Sequence, residues 1–226
     1  MSKINEINKN TPIGKPFIKI DGKIIKRGVY RGDRLDGCYN EYFESDSDGI
    51  LILKSENYKN GILHGPQIYF EMIHREDEED RMFSTPISFS NYIDGCLDGQ
   101  LVLIDPHRGI VTSNAYYKKG KRHGPNYSVW GPDGDFNNCW RTYCNYKNDK
   151  KHGIQYTFYN LDGVYPSEIE EYKDGILCGE KKDFRTTNPW IIGYILNQRT
   201  EEFKQTMNQL LEIATLHHKI KYNYTK

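Results

Sequence analysis

The sequence predicts a mainly β protein: an elongated, single-layer antiparallel β-meander of repeated hairpins with a C-terminal α-helical cap. Three observations lead to this prediction. An eight-residue pattern, Y-x-x-[G/D]-x-x-x-G, occurs six times, and its successive tyrosines are 28, 34, 25, 29 and 26 residues apart. Recurrence in this range is typical of stacked supersecondary units. Strand-favouring segments separate the copies, and an amphipathic helical pattern follows the last one.

Every copy of the pattern begins with a tyrosine and closes with a glycine. The tyrosines are Tyr30, Tyr58, Tyr92, Tyr117, Tyr146 and Tyr172, and the glycines are Gly37, Gly65, Gly99, Gly124, Gly153 and Gly179. We expect the tyrosines to form a ladder on one face of the sheet. This ladder makes the tyrosines and glycines candidate structural and interaction residues, because repeat arrays usually present extended binding surfaces.

Each copy also contains a two-residue hairpin turn. Asn60-Gly61 favours a type I′ turn, which needs positive φ at both central residues. The equivalent pairs are Gly32-Asp33, Asp94-Gly95, Lys119-Gly120, Asn148-Asp149 and Asp174-Gly175. A turn at residues 60 and 61 pairs Tyr58 with Leu63 and makes Gly65 a diagonal neighbour of Tyr58. We therefore expect each tyrosine ring to cover the glycine seven residues later.

Looser turns join successive copies, so that each repeat contributes two strands. The segments that favour strands are Ile50–Leu53, Gln67–Phe70, Leu101–Ile104, Tyr127–Trp130 and Gln155–Tyr159. A further turn is predicted at Asp21-Gly22, between Pro16–Ile20 and Lys23–Tyr30. The longest repeat contains the charged block His74–Arg81, which we interpret as a solvated loop; a docking element for a basic partner is the alternative.

The chain divides by character into a polar N-terminal arm (1–15), the repeat array (16–187) and a C-terminal helical segment (188–226). Asn188-Pro189 and Thr200 are predicted helix starts. One apolar face follows at helical spacing, formed by Phe203, Met207, Leu210, Leu211 and Ala214. We expect this helix to cap the last strands. A membrane-surface helix is the alternative, although the polar face is mixed rather than basic.

Composition excludes several classes of protein. The 31 basic and 31 acidic residues balance, so we expect no general nucleic-acid binding. The polar N-terminus does not resemble a signal peptide, and no stretch of the sequence approaches a membrane span. The five cysteines lack C-x-x-C spacing and indicate reduced thiols. We expect a cytoplasmic location, or the host cytoplasm or virion if the chain is viral.

Motifs that carry catalytic chemistry are missing from the sequence. It contains no phosphate loop, zinc pattern, kinase set or nucleophile elbow. His64, His123 and His152 recur before the closing glycine, but on successive hairpins they would lie roughly 10 Å apart. That separation is too large for shared coordination of a metal. We therefore expect no enzymatic activity, no cofactor and no metal site.

The unit Tyr-x-x-Gly-x-x-x-Gly resembles the MORN repeat (membrane occupation and recognition nexus). Tyr58–Gly65, Tyr117–Gly124 and Tyr146–Gly153, with their histidines, are most similar to the variant found in bacterial antitoxin-like and large-DNA-virus proteins. The resemblance covers about residues 23–184. It implies a twisted β-meander that serves as a scaffold, a dimerisation module or a protein-binding platform.

Three functional hypotheses follow from the repeat and the resemblance. The first is a non-enzymatic interaction or scaffold protein whose Tyr-rich sheet binds a protein partner or a second copy of itself. The second is a peripheral phosphoinositide or membrane-surface binder, suggested by the family name and by the basic stretch from Lys118 to Arg122. The third, implied only by the resemblance, is a toxin-neutralising partner protein.

Overall fold

A computed structural model describes residues 17–20, 24–46, 48–75, 81–131, 139–159 and 165–185. In these ranges the protein is mainly β, and its strands form an open antiparallel meander, as predicted. The predicted polar arm, the turn at Asp21-Gly22 and the C-terminal helical segment lie outside the described residues. The chain divides into two compact units, residues 1–99 and 100–226. The boundary follows Gly99, the closing glycine of the third copy, and no linker-like sequence marks it.

The first unit contains copies one to three of the motif. Its strands are β1 (Phe17–Ile20), β2 (Ile24–Arg31), β3 (Arg34–Ser45), β4 (Gly49–Lys59), β5 (Ile62–Leu63), β6 (Gly65–Arg75) and β7 (Arg81–Ile93). Their order in the sheet is β1-β2-β3-β4-β6-β7, and β5 pairs with β4. Strand β8 (Cys96–Asp105) begins in this unit and ends in the second.

The second unit contains copies four to six. After β8 come β9 (Ile110–Lys118), β10 (Lys121–Trp130), β11 (Trp140–Lys147), β12 (Lys150–Lys151), β13 (Gly153–Tyr159), β14 (Glu168–Lys173), β15 (Ile176–Leu177) and β16 (Lys182–Asp183). The order is β8-β9-β10-β11-β13-β14-β15, while β12 pairs with β11 and β16 with β14. The five strands predicted between copies all lie inside longer observed strands.

The predicted turn chemistry is confirmed in five of the six copies. At Asn60-Gly61 both residues have positive φ, 52° and 81°, as a type I′ turn requires. The same holds for Asp94-Gly95, Lys119-Gly120, Asn148-Asp149 and Asp174-Gly175. The first copy differs from the prediction. There only Gly32 has positive φ (62°), which is the pattern of a type II′ turn with glycine at its first central position.

A two-residue shift in register follows the hairpins of copies one, two, four, five and six, and Gly65 shows its form. Tyr58 pairs with Leu63 as predicted, but the next paired residues are Ser55 and Ile68, so β6 has gained two residues against β4. The fully buried Gln67 fills this gap. Its side-chain oxygen accepts from the Asn57 N–H (3.1 Å), and its amide nitrogen donates to the Asn57 carbonyl (3.1 Å). One side chain thus satisfies backbone groups that the bulge removes from the ladder.

Because of this bulge, the closing glycine of a copy is not placed under the tyrosine of the same copy, although the sequence predicted this. Gly65 is the strand partner of Tyr92 in the next copy, and a Cβ on Gly65 would contact Asn57 at 3.4 Å rather than the Tyr58 ring. The same partnership with the next tyrosine joins Gly37 to Tyr58, Gly124 to Tyr146 and Gly153 to Tyr172. The expectation that each ring covers its own closing glycine was wrong, because the extra bulge residues change the simple count. Positive φ, 98° at Gly65, explains the glycine instead.

Backbone hydrogen bonds also join the hairpin turns of successive copies within each unit. The N–H of the fourth motif residue donates to the carbonyl of the sixth motif residue in the preceding copy. The pairs are Gly61 to Leu35 (2.7 Å), Gly95 to Leu63 (2.8 Å), Asp149 to Arg122 (3.0 Å) and Gly175 to Lys151 (2.8 Å). Each turn is therefore fixed to its neighbour as well as to its own strands.

Candidate interaction surface

In the first unit, the three motif tyrosines lie on one face of the sheet. Directly paired residues and residues two apart along a strand share a face. Tyr58 shares its face with Tyr39 across the strand pair, and their rings meet edge to face at 6.2 Å. Tyr92 lies on the same face as Tyr69 of the neighbouring strand. Tyr30 joins them, since its ring lies 2.9 Å from the Cβ position of Gly28, which pairs with Tyr39. We call this the tyrosine face.

Carboxylates and lysines link the tyrosine rings of the first unit. Glu56 is only 4% exposed and accepts hydrogen bonds from the hydroxyls of Tyr58 (3.0 Å) and Tyr69 (2.6 Å). Glu41 accepts one from Tyr39 at 2.5 Å. Lys54 stands between the two carboxylates, 3.5 Å from Glu41 and 3.2 Å from Glu56. Every charge on this part of the face therefore has an opposite charge beside it.

The pKa values of these groups follow from burial and from the network. Burial and the nearby Glu56 carboxylate raise the pKa of Tyr58 to about 12. The pKa of Tyr39 is also raised, first by burial and then by its bond to Glu41. For Glu41 itself, burial raises the pKa, but the bonds from Tyr39, Lys26 and Lys54 outweigh it and the net shift is downward. The hydroxyls of Tyr39 and Tyr58 therefore keep their protons at neutral pH and donate to Glu41 and Glu56.

In the second unit Tyr117, Tyr146 and Tyr172 also lie on one face, the tyrosine face of that unit, and cations cover two of these rings. The Arg122 guanidinium lies 5.3 Å from the ring centroid of Tyr146, and the Lys151 ammonium lies 4.6 Å from that of Tyr172. Arg122 and Lys151 occupy the sixth motif position, and each covers the tyrosine of the next copy. Such contacts contribute about 0.5–1 kcal/mol at exposed sites.

A polar groove of about 370 Å³ lies on this face, next to Arg122 and Lys151. Its floor includes Ser128 and Thr142, whose hydroxyl oxygens are 2.7 Å apart. One hydroxyl hydrogen joins the two oxygens, so the other can be donated elsewhere. Cys144 also lines the groove, and burial raises its pKa to about 11, so its thiol is neutral. The described side chains that line the groove are neutral or basic, and none of them is a carboxylate.

An aromatic cluster closes the other end of the groove. Trp130 stacks on Trp140 with ring centroids 6.0 Å apart, and Trp140 meets Tyr159 at 5.0 Å. Trp130 is 55% exposed although it lines the groove. Exposed tryptophan and tyrosine beside a polar cleft are typical of binding surfaces, because the rings offer apolar area together with a hydrogen-bonding edge.

The recurrent histidines have a structural place that the sequence did not reveal. His64 Nδ1 lies 3.3 Å from the backbone nitrogen of Asp94, and His152 Nδ1 lies 3.4 Å from that of Asp174. In the same way, the Asp36 carboxylate accepts a hydrogen bond from the backbone N–H of Asn60, at 3.1 Å. The seventh motif residue thus binds the first turn residue of the next copy. Among the described residues, no group of three or more His, Cys, Asp or Glu side chains could hold a metal ion.

Sequence reasoning missed Glu41, Glu56 and Lys54, which connect the tyrosines, and Gln67, which fills the bulge. A signal for the carboxylates was present in the spacing. Tyr39-x-Glu41, Glu56-x-Tyr58 and Glu170-x-Tyr172 all place a carboxylate two residues from a tyrosine on a strand. A separation of two puts both side chains on the same face, and each of these three pairs forms a hydrogen bond.

No protein-family model matches the chain, and no curated protein is similar to it. The resemblance to MORN repeats therefore depends on the motif itself. Among the residues that the structure describes, no helix is long and apolar enough to cross a membrane.

Proposed function

We propose that this protein is a non-enzymatic interaction module whose tyrosine face binds another protein, a second copy of the chain included. The observation that supports the proposal most directly is the recurrence of tyrosines on one face in each unit, beside the exposed Trp130 and the polar groove. Aromatic residues and arginine are enriched at protein interfaces, and energetic hot spots are rich in Trp, Tyr and Arg. Toxin neutralisation would be one form of such an interaction.

The test compares the two faces of the second unit. Trp130→Ser removes an exposed ring beside the groove, whereas Tyr116→Ser removes one from the opposite face, where Tyr116 is 37% exposed. We expect the first change to weaken partner capture or self-association by at least about tenfold, or 1.4 kcal/mol, and the second to leave it unchanged. Affinity capture from the native host with light scattering provides the measurement. A strict monomer that captures no partner would contradict the proposal.

We also propose that residues 188–226 form the helical cap predicted from the sequence. The last strands β14 to β16 leave an edge that repeat proteins usually protect, because a free edge templates association. Deleting the segment after Arg185 should then cause aggregation, detected by size-exclusion chromatography. A soluble, monomeric and β-rich truncated chain would contradict the cap and favour a role of the helix in docking.

Binding to an anionic membrane surface is the second candidate function. Two adjacent hairpin turns, Tyr117–Gly124 and Tyr146–Gly153, supply Lys118, Lys119, Lys121, Arg122, Lys147, Lys150 and Lys151. Each basic residue near an anionic leaflet contributes about 1 kcal/mol. Flotation with vesicles that contain phosphatidylserine or phosphoinositide tests this candidate. Absence of co-flotation at low salt would remove it.

A further inference from the structure

The basic hairpin turns and the polar groove form one continuous surface in the second unit. The N–H of Asp149 donates to the Arg122 carbonyl at 3.0 Å, and the Arg122 N–H donates to the Asp149 carboxylate at 2.8 Å, so the two turns are fixed side by side. Asp149 is the one acidic residue in the two turn segments, 117–124 and 146–153, and it is occupied by this bond. Arg122 and Lys151 then connect the turns with the groove.

The groove has the length and the donors to hold an extended acidic peptide. It follows β11 from Tyr146 at its basic end towards Trp140 at its aromatic end, six residues of strand or about 20 Å. Five extended residues span about 16 Å. Ser128 and Thr142 supply a hydroxyl hydrogen between the two ends. The Glu170 carboxylate, which pairs across the strands with the groove residue Gln155, is already bonded to Gln155 (2.8 Å) and Tyr172 (3.2 Å).

The chain itself carries a peptide of this kind. Residues 76–80 read Glu-Asp-Glu-Glu-Asp, and they connect β6 to β7, whose last pair is Arg75 with Arg81. The charge of the two units is opposite in sign. Residues 1–99 contain 13 basic and 17 acidic side chains, and residues 100–226 contain 18 and 14. A chain with zero net charge is therefore acidic in one unit and basic in the other.

We propose that the groove and basic turns of the second unit bind the acidic segment 76–80 of a second copy of the chain. This inference rests on the proposed interaction function and specifies its partner. The contact joins different surfaces of the two copies, so it is heterologous. Such contacts produce rings or open chains of copies rather than a closed two-fold dimer, unless a further contact closes them. Salt weakens the association, because dissolved ions screen the attraction between opposite charges.

The first experiment measures self-association of the full chain by analytical ultracentrifugation at about 0.05 M and about 0.5 M salt. We expect the weight-average mass to rise with protein concentration at low salt and to fall to that of the monomer at high salt. Lys151→Glu should abolish the rise. The matched control is Lys182→Glu, an exposed basic residue outside the groove, which should associate like the wild type. Association that is equally strong in both variants would overturn the proposal.

A charge-exchange experiment then identifies the two surfaces as partners. One variant carries lysine at all five acidic positions, Glu76, Asp77, Glu78, Glu79 and Asp80; the other carries Arg122→Glu and Lys151→Glu. Each variant alone should be monomeric, and their mixture should associate again. Because the two changes lie in different units, a folding defect in the groove variant cannot imitate this rescue. Failure of the mixture to associate, when circular dichroism shows both variants folded, would overturn the proposal.

A peptide test separates this inference from the general function. A fluorescent peptide of residues 74–81 should bind the protein, and its counterpart with Gln and Asn at the acidic positions should bind at least about tenfold more weakly. If the acidic peptide does not bind while Trp130→Ser still abolishes capture of a host protein, the self-association proposal fails and the interaction function stands. If the acidic peptide does not bind and no host protein is captured, both the self-association proposal and the interaction function fail.

Discussion

The two units carry the same motif three times each, but among the described residues they bury different side chains. In the first unit the buried apolar residues are Ile25, Ile73 and Pro86, and the buried polar residues are Ser45, Glu56, Gln67 and Ser90. The second unit also buries four polar residues, Asn114, Gln155, Thr157 and Ser167, but far more apolar ones: Val102, Ile104, Val111, Ala115, Tyr127, Cys139, Tyr143, Cys144, Ile154, Tyr156, Phe158, Pro166, Ile169 and Phe184. The motif determines the turns and their stacking in both units. The residues between the copies determine how large an apolar core accompanies the buried polar groups of each unit.

The difference has an energetic meaning. Apolar burial is non-directional and tolerates small displacements, whereas a buried carboxylate is favourable only while its donors stay in place. The stability of the first unit should therefore depend on a few specific hydrogen bonds and ion pairs. The stability of the second unit should depend on how well its buried side chains fill the core. Four pairs of substitutions test this contrast.

The largest effect is expected in the apolar core of the second unit. Phe158 is 2% exposed, and Phe158→Ala should destabilise the unit by about 3–5 kcal/mol because it leaves a cavity. The matched control is Ile176→Ala, since Ile176 is 72% exposed and its loss should change stability by less than about 0.5 kcal/mol. Urea unfolding followed by circular dichroism measures both. Equal effects would mean that the second unit has no dominant core.

A smaller but specific loss is expected in the first unit. Glu56→Ala leaves two tyrosine hydroxyls without their acceptor and removes one of the two carboxylates beside Lys54, so it should cost about 2–3 kcal/mol. Glu171→Ala is the control, because Glu171 is exposed on β14. Thermal unfolding of both variants gives the comparison. If Glu56→Ala is as mild as the control, the network does not stabilise the first unit.

The turns should respond alike in both units, because they belong to the shared motif. Gly61 (φ 81°) and Gly175 (φ 88°) lie in the left-handed region, where a β-branched residue is strained. Gly61→Val and Gly175→Val should each destabilise by more than about 1 kcal/mol. A melting temperature that stays unchanged for either variant would show that the positive φ is not required there.

The smallest effect is a gain in stability. Lys119 has φ 52°, a conformation that costs most L-residues about 1–2 kcal/mol but glycine almost nothing. Lys119→Gly should therefore stabilise the second unit by about 0.5–1 kcal/mol. Lys118→Gly, in the adjoining strand, should instead destabilise it by a similar amount. Differential scanning calorimetry separates the two signs.

Local features of the fold could be predicted from the sequence, whereas relations between copies could not. Asn60-Gly61 fixes a turn through its own φ preferences, so the pairing of Tyr58 with Leu63 followed from counting. The partner of Gly65 depended on a bulge filled by Gln67, a residue outside the motif. The tyrosine face of each unit followed from strand alternation, but the groove near Ser128 and Thr142 did not. Those side chains meet only because β10 and β11 pair in one particular register.

The hydrogen bonds between successive turns give the repeat a direction. In each pair the later copy donates and the earlier copy accepts, as Gly61 does to Leu35 and Gly175 to Lys151. When the chain leaves the ribosome, the acceptor carbonyl of one copy is therefore already synthesised before its donor appears. Within a unit, each new hairpin can therefore form its hydrogen bonds on the hairpin that precedes it in the chain. Gain or loss of a whole copy would preserve this rule within a unit, whereas a partial copy would break it.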